Sequence, residues 1–112
     1  MREKIIIIKK FNSYFPKSQI SEEEFFFDFH VFIKENFSKM KHESDRVFLN
    51  DFYTFLNQIG KSKSKKVIDL IEVAVLEVLT DEKDWQDLSF KYLTGNALKV
   101  FENLFVDKFI RL

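Results

Sequence analysis

Apolar positions recur along this chain at three- and four-residue intervals, the spacing of one helix face. The cleanest stripe is Phe48, Phe52, Phe55, Leu56 and Ile59, with Asn50, Thr54, Asn57 and Gln58 on the opposite side. It predicts an amphipathic helix over 44–59, with Gly60 as its stop residue. Before it, Ser21-Glu22-Glu23-Glu24 reads as a helix start. The Ser21 hydroxyl can accept from the Glu24 amide, that carboxylate can reach back, and three acids suit the N-terminal dipole. The helix predicted over 21–37 carries Phe25, Phe26, Phe29, Phe32, Ile33 and Phe37 on one broad face, with Phe27 and Val31 roughly opposite. A helix so apolar all round is expected to be buried on two sides.

Residues 2–15 are less decided by pattern. Ile8, Phe11 and Phe15 have helical spacing, yet the run Ile5–Ile8 is four β-branched residues and also suits a strand. A lone strand without a partner is unstable, which favours a helix ending at Pro16. Further along, a helix starts within Lys61–Lys66 and runs through Val67 to Leu79; it is the most hydrophobic segment and the expected centre of the fold. Its polar strip is Lys65, Asp69 and Glu72. Thr80 or Asp81 can cap a short helix over 82–92, Thr94-Gly95-Asn96 breaks it, and a last helix over about 96–110 groups Ala97, Phe101, Leu104 and Phe105.

The expectation is a single all-α domain over 1–112, with five to six helices in an irregular bundle or a short helical-repeat-like stack. Phe27, Val31, Val106 and Ile110 fall off the main stripes. Exposed together, they would mark the interface of a homo-oligomer.

Composition strengthens this picture. Fifteen phenylalanines stand against two glycines, one proline and no cysteine. Part of the Phe excess fits an AT-rich genome, since Ile, Lys and Asn are also abundant. The scarcity of Gly and Pro means few breaks in the backbone. At 46% hydrophobic and 32% charged, the chain has the balance of a globular domain and can bury a core without disulfide or metal staples.

Charge changes the picture more. Lys plus Arg equals Asp plus Glu, at 18 each. Non-specific nucleic-acid binding needs a positive excess, so no nucleic-acid partner is expected. The neutral total conceals segregation: residues 67–87 hold seven acids and one lysine. Asp69, Glu72, Asp81, Glu82, Asp84 and Asp87 are therefore the candidate partner-binding residues, an acidic surface for a basic protein partner. Lys61–Lys66, four lysines in six residues, lacks interleaved aromatics or arginines and reads as a solvated loop. The apolar run near the N-terminus is too short for a signal sequence, and no stretch approaches a membrane span. With no cysteine in the chain, a cytoplasmic protein without a membrane partner is expected.

Candidate catalytic chemistry is sparse. His30 and His42 are the two histidines, and neither belongs to an HExxH or Glu-x-x-His pattern. The acids at 81–87 fail the calcium-loop pattern, because Lys83 and Trp85 occupy ligand positions. No metal site and no cofactor is expected. Glu77, set between Val75-Leu76 and Val78-Leu79, is the carboxylate best placed for desolvation, but no nucleophile or oxyanion-hole sequence accompanies it. An enzyme would have to be built around Glu77 or His30. The expectation is a protein that is not an enzyme.

The segment Val67-Ile68-Asp69-Leu70-Ile71-Glu72-Val73-Ala74-Val75-Leu76-Glu77-Val78-Leu79-Thr80-Asp81 resembles the central helix of small all-helical bacterial proteins, some of them suspected immunity proteins of polymorphic toxin systems. The likeness extends over about residues 44–105. It implies a toxin-neutralising binding protein without catalysis of its own, whose partner is a basic toxin domain.

Overall fold

The computed structural model describes residues 2–42 and 44–110. It is all-helical, 77% helix, with no strand among the described residues. Six α-helices follow in order: α1 (Arg2–Tyr14), α2 (Phe25–Phe37), α3 (Ser44–Ile59), α4 (Lys65–Ile71), α5 (Lys83–Tyr92) and α6 (Gly95–Phe105). Between α4 and α5 the chain passes through a π-turn at Glu72–Leu76 and a 3₁₀ turn at Val78–Thr80; a second π-turn, Val106–Ile110, follows α6.

The Ile5–Ile8 run is helical. Ile7 and Phe11 face inward, while Ile5 and Ile6 lie on the outer side. Phe11 sits at the centre of an aromatic lattice, with ring centroids 4.9–5.3 Å from those of Phe15, Phe29, Phe32 and Phe55. Most of these contacts are edge-to-face, the arrangement favoured by ring quadrupoles, each worth about 0.5–1.5 kcal/mol beyond its area burial. Phe37 extends the lattice to Phe52, Tyr53 and Trp85. Helix α3 packs against α1, α4, α5 and α6, and α2 lies across the first π-turn.

Several local expectations are refined. Ser21 does accept from the Glu24 amide at 3.0 Å, but the reach back comes from Asp28, whose Oδ2 accepts both the Ser21 amide and hydroxyl. The helix proper therefore starts at Phe25, one turn later than the sequence suggests. Phe26 leaves the core face and lies beneath the Lys4 ammonium, 5.3 Å from its ring centre. Helix α4 starts within the lysine-rich segment as expected, where the Ser64 hydroxyl accepts the Val67 amide. It does not run on as regular α-helix to Leu79. The Glu77 amide donates to the Glu72 carbonyl at 2.8 Å, and this wider turn shifts the phase of every side chain beyond it.

The two glycines act differently. Gly95 opens α6 at φ +56°, a left-handed conformation that side chains resist. Gly60 follows α3 but owes its place to proximity. A Cβ there would lie 2.9 Å from both the Cβ and the backbone nitrogen of Ala97.

Candidate functional site

The acidic surface is organised by Thr80. The buried Thr80 donates its hydroxyl to the Glu77 carbonyl at 2.6 Å and accepts the Lys108 ammonium at 3.0 Å. Its carbonyl accepts the Gln86 side-chain amide at 2.8 Å. These bonds fix the turn into α5 and the directions in which residues 81–87 project. Neither Thr80 nor Asp81 caps α5; Glu82 holds the cap position in extended backbone, without a side-chain bond to the helix.

The six expected partner-binding residues are dispersed by this geometry. Asp69 pairs with Lys65, Asp87 with Lys83 and Asp81 with Lys108, at 3.1, 2.9 and 3.1 Å. All three pairs are exposed to solvent and weakly stabilising. Glu72 is half-buried. Burial raises its pKa above the ordinary value, and the nearby Asp69 and Glu77 carboxylates push it the same way against Lys65. Glu82 and Asp84 are exposed and make no ion pair among the described residues. The lysine-rich segment thus neutralises Asp69 alone, through Lys65.

Glu82 and Asp84 border a cleft of about 690 Å³ between the N-terminal end of α5 and the α2–α3 connection. Phe37, Leu88, Tyr92 and the largely buried Trp85 supply its apolar lining. Lys41, His42, Asp45 and Arg46 form the facing rim. Asp45 accepts the His42 amide at 2.5 Å, which ties that rim to the start of α3. Glu43, beside His42, lies outside the described residues.

A second cleft, about 610 Å³, lies between the turns after α4 and the C-terminal π-turn. Glu77, Asp81, Asp107 and Lys108 line it together with Val73, Val78, Thr80 and Leu104. Glu77 is exposed there rather than enclosed among its apolar neighbours. His30 is half-buried on α2 and lines neither cleft. Among the described residues, no three His, Cys, Asp or Glu side chains converge as a metal site would need.

Sequence reasoning missed Lys41 and Arg46, and it did not foresee that Trp85 would join Glu82 and Asp84 in one cleft. Its signal lies in the pairing of residues 37–49 with 82–92, which periodicity does not encode. Comparison of the chain with protein-family models, with curated proteins and with solved structures returned no match.

Proposed function

We propose that this chain is a non-enzymatic protein-binding module that receives a basic partner segment in the cleft beside α5. One observation carries the reading: Glu82 and Asp84, both without an ion pair among the described residues, line an apolar-walled cleft together with Trp85, while Lys83 between them is paired with Asp87. A partner presenting two cations around an apolar side chain would meet carboxylates at the rim and rings beneath. Lys41 and Arg46 on the facing rim would repel a uniformly basic surface and so select for partners with charge on one side only. The immunity-type role implied by the resemblance is the specific form of this proposal, with a basic toxin domain as partner.

The test uses Trp85, the chain's only tryptophan, as its own reporter. Its emission should shift when a peptide carrying two lysines around a central leucine, and no other cation, is titrated in. The double substitution Glu82→Lys/Asp84→Lys should weaken that binding at least tenfold. Unchanged affinity in the double variant would sink the proposal. For the immunity form, co-expression with a toxin encoded by an adjacent gene should restore growth with the parent chain and not with the variant.

A second reading, a homo-oligomer, draws on the C-terminal end. Phe90, Phe105 and Phe109 form a chain of rings with centroids 5.0 Å apart, and Val106 and Ile110 are exposed beside them. Phe27 and Val31 share a different, shallow groove on α2, so the expected patch divides in two.

A further inference from the structure

The lysine-rich segment 61–66 is not an isolated loop. Helix α1 packs against α4, which brings Lys9 and Lys10 beside Ser62 and Val67 around a groove of about 520 Å³. Ile6 and Ile59 line this groove, with Ser13 and Gln58 at its edge. Two segments half a chain apart thus meet at one groove, where Ser62 lies between Lys61 and Lys63 in the sequence. Lys9, Lys10, Lys61, Lys63 and Lys66 are all exposed and make no ion pair among the described residues. The acids on these segments are Glu3 and Asp69, and Asp69 is held by Lys65.

The same face is apolar where a water-facing helix should be polar. Ile5 and Ile6 are 42% and 48% exposed, and the helical period puts Arg2 and Lys9 between them on the outer side of α1. Two exposed isoleucines interspersed with long cations give this side of α1 both the apolar tips and the charge that a bilayer interface would engage. The apolar tips enter the acyl boundary, and the lysine stems reach back to the headgroups.

We infer that the α1 face and the 61–66 segment form a docking surface for an anionic phospholipid membrane, engaged peripherally. No helix among the described residues is long and apolar enough to cross a membrane. Charge complementarity and the isoleucines select this occupant together. A nucleic acid would satisfy the lysines but leave the isoleucines in water, and no aromatic side chain among the described residues lines the groove between these lysines to stack on bases. Two isoleucines and a handful of lysines give reversible attachment, since stable anchoring needs a stronger apolar signal. The surface is separate from the α5 cleft, so either proposal can fail alone.

The test is sedimentation of the full chain with vesicles. Binding is expected to phosphatidylcholine vesicles containing about one third phosphatidylserine, and not to pure phosphatidylcholine. Each lysine near such a surface contributes about fivefold, so Lys9→Gln/Lys10→Gln should weaken binding by at least about tenfold. Lys61→Gln/Lys63→Gln, in an exposed connection that cannot disturb the core, should act in the same direction. Ile5→Ser/Ile6→Ser should weaken binding several-fold with an unchanged circular dichroism spectrum. Equal binding to both vesicle types overturns the inference. So does an undiminished affinity in the isoleucine variant, or tighter binding to polyuridylate or polyglutamate than to vesicles, because each would mark a plain polyanion surface.

Discussion

The hydroxyls of Tyr53 and Ser89 meet at 2.9 Å inside the core, joining α3 to α5 beneath the cleft that holds Trp85. Ser89 also donates to the Trp85 carbonyl at 2.8 Å, so the pair is satisfied in both directions by letting Tyr53 donate to Ser89. The two ends are unequal. Tyr53→Phe leaves Ser89 with its carbonyl partner and should cost about 1 kcal/mol. Ser89→Ala strands a buried phenol and should cost more, about 1–3 kcal/mol. Thermal unfolding of the two variants checks the order.

Burial also raises the Tyr53 pKa well above its ordinary 10.0, with the Ser89 bond opposing and Tyr92 adding to the rise. A raised folded-state pKa means the native state keeps a proton the unfolded state loses. Stability is therefore full below the ordinary value and falls as pH rises above 10. Tyr53→Phe should unfold less steeply in alkali than the parent chain, as denaturant midpoints across that range would show.

Glu72 obeys the same sign at lower pH. Its raised pKa favours the protonated folded state, so its unfavourable contribution appears as pH climbs past the ordinary 4.5. Glu72→Gln should raise the melting temperature slightly at neutral pH and leave it unchanged in acid. A uniform shift at every pH would contradict the burial argument.

Gly60→Ala should destabilise by roughly 1–3 kcal/mol, because the added methyl meets backbone as well as side chain on Ala97. Ala97→Gly should rescue only part of this loss, since the Ala97 nitrogen is as close as its Cβ. Gly95→Ala has open space and suffers only backbone strain, about 1–2 kcal/mol. No neighbouring substitution should rescue it. Chemical denaturation of the three variants separates the two mechanisms.

Breaking the Lys108–Asp81 pair should barely matter to folding. Both side chains are nearly half exposed, and such pairs contribute about 0–1 kcal/mol. Asp81→Asn should melt within a few degrees of the parent, so any loss of partner binding in that variant would report on recognition.

Where local signals agree, the sequence foretells the structure. The α3 boundaries and most of its stripe appear as expected, because an amphipathic face and a polar side coincide there, with Leu49 and Tyr53 joining the buried face. The helical class follows from the same periodicity and from the shortage of breakers. Phe26 and Phe27 were harder, because a helix with rings on every side does not say which neighbours will cover them; Phe27 is 63% exposed. The first π-turn was invisible, since residues 72–76 are as apolar as a regular buried helix and only the extra residue in the ring distinguishes them. The acidic run is legible as composition, and its ion pairing is not. Three of its carboxylates hold lysines, and the two beside Trp85 acquire their setting from α2 and α3.

The close approach of Gly60 to Ala97 reaches beyond stability. Exposed residues outside the proposed surfaces meet little packing constraint, and a ring in the core can give way to another apolar group of like volume at modest cost. These two positions must stay small together, one at the end of α3 and the other in the first turn of α6. Any chain packed in this way should carry the same paired absence of bulk between its aromatic stripes, a steric rule independent of overall identity.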